Sequence, residues 1–182
     1  IRMFSSTIAI ASGDNQLILR TVNGGQNWTI IHQGSPVNNS ITNLNVFSDG
    51  SAAAFSTYYQ SPYEYTYIYK STNMGLNWQI MQTYVANRWI HFVNVNSGWA
   101  YGSTSTGPPL NQYYLDINYT TNGGQNWSLI NRGPGVSINP GMIYFYNSSF
   151  GFKYSHIGIV YTSRSFDGGN TWVSTGLPNL YN

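Results

Sequence analysis

An eight-residue turn sequence occurs four times in this chain, and that recurrence constrains the fold more than any other feature. The copies are Thr21-Val22-Asn23-Gly24-Gly25-Gln26-Asn27-Trp28, Ser71-Thr72-Asn73-Met74-Gly75-Leu76-Asn77-Trp78, Thr120-Thr121-Asn122-Gly123-Gly124-Gln125-Asn126-Trp127 and Ser165-Phe166-Asp167-Gly168-Gly169-Asn170-Thr171-Trp172. The closing tryptophans are 50, 49 and 45 residues apart. A near-fixed period of that length signals one supersecondary unit stacked repeatedly.

The shared pattern, Ser/Thr-x-Asn/Asp-x-Gly-x-Asn/Thr-Trp, gives each position a physical job. Asn23, Asn73, Asn122 and Asp167 can fold their side chains back onto backbone N–H groups and close an Asx-type turn. Gly25, Gly75, Gly124 and Gly169 suit a position of positive φ. Trp28, Trp78, Trp127 and Trp172 then offer a large apolar body to a core, with one N–H that needs an acceptor. The reading is a hairpin turn whose exit strand is pinned to a core.

Each repeat divides into four short β-patterned runs. In the first they are Arg2 to Phe4, Ile8 to Ala11, Leu17 to Arg20 and Trp28 to Ile31. The second has Leu44 to Phe47, Ala52 to Phe55, Tyr65 to Tyr69 and Trp78 to Met81, and the third has Trp89 to Val93, Gly98 to Gly102, Asp116 to Tyr119 and Trp127 to Ile130. The fourth has Met142 to Phe145, Phe150 to Tyr154, Ile159 to Thr162 and Trp172 to Ser174. Aromatic and β-branched runs divided by Gly, Asn and Ser are a strand signature. The expectation is an all-β chain, a β-propeller of four-stranded antiparallel blades at about 1–34, 41–84, 88–133 and 141–177.

The four turns resemble the Asp-box, or bacterial neuraminidase repeat, of sialidases, sortilin-like receptors, xyloglucanases and photosystem II assembly factors. The resemblance spans nearly the whole chain and implies that each turn joins the third and fourth strands of a blade. Three copies carry Asn where that family usually has Asp. Asparagine keeps the acceptor oxygen but takes up no proton, so an acid-stable fold whose stability varies little with pH is expected. The resemblance also implies six or more blades, whereas four runs fill this chain and no spare strand remains to close a ring. The outer blade faces are therefore expected to be covered by further copies of the chain or by more of a longer polypeptide.

Composition narrows the function classes. Only 7% of residues are charged, against about 25% in typical soluble proteins. Aromatics reach 16%, with sixteen tyrosines, and Asn, Ser and Thr take the place of Lys and Glu. Such a surface points to a secreted protein, at an extracellular location or on a cell or virion surface. The seven basic residues are scattered, so no basic stripe for nucleic acid exists. Cysteine is absent, which removes disulfides, thiol catalysis and zinc–thiolate sites. No apolar run approaches the ~20 residues of a membrane span. No cofactor or metal site is expected either, since His32, His91 and His156 lack ligand spacing.

Binding is expected on the face carrying the loops between second and third strands and between blades. Two such loops read as expanded, 56–64 and 103–114. They and their neighbours supply the candidates Tyr58, Tyr59, Tyr63, Arg88, Trp89, Tyr113, Tyr114 and Arg132. Long loops on a rigid scaffold carry function, and tyrosine gives flat area plus a hydroxyl at low entropic cost. Tyr63, Tyr65, Tyr67 and Tyr69 alternate along one run and read as packing between blades instead.

The resemblance also raises a sialidase- or xyloglucanase-type glycoside hydrolase, or a fragment of one, as the alternative. Ordinary glycosidases need two carboxyl groups at a set separation. Glu64 is the only glutamate, and with Asp116 it forms the only carboxylate pair on the expanded-loop face. No catalytic residues are therefore assigned. Glycosylation sequons occur at Asn27, Asn38, Asn118, Asn126 and Asn147, with Asn38, Asn147 and Asn118 the candidates for use. The favoured reading is a non-catalytic extracellular propeller, a surface, adhesion or receptor-binding module for glycans or proteins.

Overall fold

The computed structural model describes residues 1–34, 39–60, 63–83, 89–105, 112–134, 142–157 and 159–175. Among them are sixteen strands and no helix. The first sheet holds Arg2–Met3 (β1), Ala9–Ser12 (β2), Ile18–Thr21 (β3) and Thr29–His32 (β4). The second holds Thr42–Val46 (β5), Ala52–Gln60 (β6), Tyr63–Ser71 (β7) and Gln79–Thr83 (β8). Trp89–Phe92 (β9), Gly98–Ser105 (β10), Tyr113–Thr120 (β11) and Ser128–Pro134 (β12) make the third. Met142–Phe145 (β13), Gly151–Ile157 (β14), Ile159–Ser165 (β15) and Val173–Ser174 (β16) make the fourth. Every sheet is an antiparallel meander in sequence order, as a propeller blade requires.

Much of the expanded loop 56–64, and both ends of 103–114, turn out to be strand. β6 runs on to Gln60 and β7 begins at Tyr63, pairing Tyr58 with Tyr65, Tyr59 with Glu64 and Gln60 with Tyr63. Aromatic and β-branched residues favour such cross-strand pairing, and the Tyr58 and Tyr65 rings stack at 6.4 Å. β10 and β11 likewise extend to Ser105 and from Tyr113. The aromatic content that marked these segments as binding loops is what zips them into hairpins.

The repeated turn has the same wiring in each blade. In the first, Gly25 N–H donates to Thr21 Oγ1 at 3.0 Å and Asn27 N–H to Asn23 Oδ1 at 3.0 Å. The Ser71 copy repeats both bonds at 3.0 Å, and in the third copy Asn126 N–H donates to Asn122 Oδ1. In the fourth, Asp167 accepts from Ser165 Oγ, from Thr171 N–H and from Thr171 Oγ1 at 2.6–2.9 Å. Two successive residues adopt positive φ in each copy, for instance Gly24 at 69° and Gly25 at 90°. Met74, at 55°, is the one non-glycine there.

By contacts the chain forms two compact units. The first comprises Ile1–Val85 with Asn94–Asn96 and Asn122–Asn126, the second Ala86–Val93, Ser97–Thr121 and Trp127–Asn182. In the first unit Ile10, Ile18, Ile41, Leu44, Ala54 and Tyr69 make a core against which Phe4, Val46 and Trp78 pack. In the second, Trp99, Tyr101, Ile117, Ile143 and Phe145 form the core, with the Trp99 and Phe145 rings stacked at 3.8 Å. The turn tryptophans lie at the margins of these cores. All four are half-buried, whereas Trp99 is fully buried. Their N–H groups tie back to the turn itself, Trp78 to Gly75 O at 3.0 Å and Trp172 to Gly169 O at 2.9 Å.

Hydrogen bonds also cross between neighbouring blades within each unit. Arg20 Nε donates to Met74 O at 2.8 Å. In the second unit Trp99 Nε1 donates to Gly168 O at 2.8 Å, and His91 Nε2 to Phe145 O at 2.8 Å. Met74 and Gly168 hold the same position in their turns, so one carbonyl of the turn serves as the acceptor for the preceding blade.

The glycine positions therefore differ in cost. A Cβ at Gly75 would sit 2.5 Å from Ile10 Cγ2, whereas at Gly25 the nearest atoms are 3.8 Å away on its own Trp28. Gly25→Ala is expected to cost the left-handed backbone strain of about 1–2 kcal/mol. Gly75→Ala should cost about 1–3 kcal/mol more through overpacking, a difference that urea denaturation of the two variants measures directly.

The structure also supplies groups that tie stability to pH. The hydrogen bonds from Thr171 and Ser165 hold the Asp167 carboxyl down to about 2. A depressed folded-state carboxyl contributes stability that is complete above its ordinary pKa of about 4 and is lost as pH falls toward 2. Burial lowers His91 below its ordinary value, with the bond to Phe145 opposing. The unfolded chain then takes up that proton first, so stability falls as pH drops below about 6.5. Thermal melts are expected to show a decline below pH 6.5 and a second below pH 4, with Asp167→Asn reducing only the second. A melting temperature constant from pH 7 to pH 3 would contradict both assignments.

Candidate binding corner in the second unit

Tyr114 and Asp116 alternate along β11 and so share one face of the third blade. Across the strand pairs Asp116 stands opposite Arg132, and Tyr114 opposite Thr104. The register of β11 against β12 shifts between Ile117 and Asn118, and this bulge sets the β12 side chains beyond it on that face. The result is a bidentate pair. Arg132 Nε donates to Asp116 Oδ1 and Arg132 Nη2 to Oδ2, both at 2.7 Å. Thr104 Oγ1 donates to the same Oδ2 at 2.8 Å.

The two partners see different surroundings. Asp116 is buried, while the Arg132 side chain is 48% exposed. Burial raises the Asp116 pKa, but the hydrogen bonds from Arg132 and Thr104 and the charge of Arg132 outweigh it, and the net shift is downward. The guanidinium also lies 4.9 Å from the centre of the Tyr114 ring. Tyr114 itself is held by its hydroxyl, which donates to Gln112 Oε1 at 2.6 Å. Tyr113, next in sequence, is 41% exposed. An arginine fixed on two sides in this way presents its outer N–H edge in one orientation, ready for a carbonyl, carboxylate or hydroxyl acceptor.

The structure thus joins Tyr114 and Arg132 in one cluster, with Tyr113 adjacent in sequence. It assigns Trp89 to the scaffold, because its Nε1 donates to Ile143 O at 2.8 Å and its ring packs on the Trp99 core. Tyr58 lies in the first unit, half-buried against Tyr65. Arg88 and Asn38 lie outside the described residues, as do the side chains of Tyr59, Tyr63 and Glu64. Asn147 is exposed, and its Oδ1 accepts from Ser149 and Phe150 to close the β13–β14 turn. Asn118 is half-buried in mid-strand. Sequence reasoning weighed Asp116 only as a possible acid; its role as the anchor of Arg132 depends on a cross-strand register that the residue order does not announce. Among the described residues no three His, Asp or Glu groups gather as a metal site, and no helix is long and apolar enough to cross a membrane.

Comparison with solved structures bears on the architecture. The chain is similar to YCF48 bound to D1 peptide, with a TM-score of 0.62 and 14% identity over 98% of this chain and 52% of that one. It is also similar to YCF48 from Cyanidioschyzon merolae, with a TM-score of 0.56 and 19% identity over 92% and 52% of the two chains. The fold is that of a β-propeller. The chain spans about half the length of these two structures. No family model and no curated protein matches it.

Removing Arg132 would strand a buried carboxylate. In Arg132→Ala the Asp116 pKa is expected to rise, because burial then acts with only Thr104 against it. The variant's stability deficit should widen from pH 4 to pH 8, and melts at the two pH values against the parent chain read that difference.

Proposed function

We propose that this chain is a non-catalytic, protein-binding propeller module that takes an extended peptide segment at the corner formed by Arg132 and Tyr114. The observation that carries this reading is the arginine clamped on buried Asp116, with an oriented donor edge beside the half-buried Tyr114 ring. Such an edge suits the carbonyls or carboxylate of a peptide. The YCF48 structure with D1 peptide bound shows a propeller of similar fold in complex with a peptide. Glycan hydroxyls are acceptors of the same kind, and a role in surface adhesion or receptor binding follows if the partner is a glycoprotein.

Further parts of the reading rest on the sequence. The Asp-box affiliation is supported by the four turns and their shared hydrogen bonding. An extracellular or surface location is supported by the 7% charged content and the amide- and hydroxyl-rich composition. Association with further copies of the chain, or with more of a longer polypeptide, is supported by the apolar residues exposed on the outer sheets. A hydrolase role is disfavoured by Asp116, since a general acid needs a carboxyl whose pKa is raised, and the shift at Asp116 is downward.

Peptide and glycan arrays probed with the chain test the proposal. Binding is expected to fall about tenfold or more in Arg132→Ala, the loss of a charge-assisted hydrogen bond, and less in Tyr114→Ala. Binding unchanged in Arg132→Ala would remove this corner from the proposal. Turnover of a sialoside or β-glucan abolished by Glu64→Gln or Asp116→Asn would replace it with the hydrolase reading.

A further inference from the structure

The register fixes equivalent rows across the four blades. One face of the first blade carries Ile10, Arg20 and Thr29 side by side across β2, β3 and β4. The corresponding row of the third blade is Trp99, Tyr119 and Ser128. In the fourth blade it is Phe152, Arg164 and Val173. In the first two rows the members on the second and third strands are buried or half-buried under the blade that follows each within its unit, while Thr29 and Ser128 on the fourth strand are exposed. There, Arg20 and Trp99 donate to the turn carbonyls of Met74 and Gly168, and Ile10 packs beside Gly75.

The fourth row is bare. Phe152 is 46% and Val173 55% exposed, and Arg164, also exposed, lies over the Phe166 ring at 5.3 Å. The opposite face of the first blade is bare in a complementary way. Ile1 and Met3 are 74% and 57% exposed. Their counterparts one and three blades on, Leu44 with Val46 and Ile143 with Phe145, belong to the two cores or pack on them. Gly25 is half-buried where Gly75 and Gly169 are buried. Gly24, the counterpart of Met74 and Gly168, is exposed, as Met74 also is, whereas Gly168 is half-buried.

We infer that these two faces are the halves of one head-to-tail interface, in which the fourth blade of one copy docks on the first blade of a second copy. Phe152 and Val173 cover Ile1, Met3 and Gly25, and Arg164 donates to the Gly24 carbonyl as Arg20 does to Met74. A second copy is favoured over an unrelated partner because the same chain carries both halves, donor row and acceptor turn. The two matched YCF48 structures are about twice the span of this chain, a length that two copies supply. The interface is heterologous, since different patches meet. The inference rests on the proposed self-association and assigns it a surface; it is independent of the Arg132 corner.

Sedimentation velocity on the full chain over a wide concentration range tests it. Reversible association above the 20.3 kDa monomer is expected, and Arg164→Glu should raise its dissociation constant about tenfold or more. Two variants make the geometry decisive: Phe152→Asp with Arg164→Glu on the fourth blade, and Met3→Asp on the first. All three positions are exposed, and unchanged thermal melts show that the fold is kept. Each variant alone is expected to be monomeric. Mixed, they are expected to form a one-to-one dimer, because one retains the donor face and the other the acceptor face. A parent chain that stays monomeric overturns the inference together with the self-association reading. Association that survives both variants, or variants that fail to pair when mixed, overturns the interface alone.

Discussion

The rest of the structure depends on one hydrogen-bonded turn in which a Ser or Thr hydroxyl and an Asn or Asp oxygen gather the backbone N–H groups of the second, fourth and sixth residues after the hydroxyl. Closing that ring forces two consecutive residues into positive φ, a conformation that glycine adopts at little cost. The forced geometry turns the carbonyl of the first of them outward. That carbonyl is where Arg20 and Trp99 of the preceding blades end. A local turn thus doubles as an inter-blade connector. Where Met74 replaces glycine the strain is accepted, and the Met74 side chain lies beside Gly50, where the glycine leaves room for it.

Most of the fold was legible in the sequence, because a hairpin blade is specified locally. The turn residues mark the third and fourth strands, and the short aromatic runs mark the others. All sixteen strands fall where those runs predict, with boundaries moved by a few residues. Where strands run longer than those runs, one cause is shared. Segments 56–64 and 103–114 carry tyrosines, which serve equally as exposed contact residues and as strong cross-strand partners. Residue type alone does not separate the two uses; the pairing of Tyr58 with Tyr65 and of Ser105 with Tyr113 does. The turn tryptophans were read as core for a related reason. Their size implies burial, but all four are half-buried, Trp78 and Trp172 are tethered by their own turns at core margins, and the centre of the second unit is left to Trp99 and Phe145.

The candidate site was legible only in part. Arg132, Tyr113 and Tyr114 were singled out because they flank or lie in expanded segments, and the register brings Arg132 and Tyr114 together. What orders them is Asp116, whose alignment with Arg132 depends on a β-bulge two residues away. A bulge shifts every later residue of one strand relative to its partner, and no residue in this bulge advertises it. His91 is similar: a strand histidine by sequence, yet in the fold a buried donor to Phe145 O and a source of acid sensitivity.

The scarcity of charge gives the cations a specialised use. Arg20 donates to a turn carbonyl and Arg132 to a buried carboxylate, while Lys153 lies 4.8 Å from the Trp172 ring and Arg164 covers Phe166. Each is a directional donor or a lid on an aromatic face. None of these four projects as a free solvating charge, a task that falls to the amides and hydroxyls of Asn, Ser and Thr. With a net charge of only +2, the surface exerts little long-range steering. Under the proposed binding function, partners are selected by the fit of aromatic faces and oriented N–H groups at contact. Complexes formed in that way associate at rates set by docking geometry, and moderate salt changes those rates little.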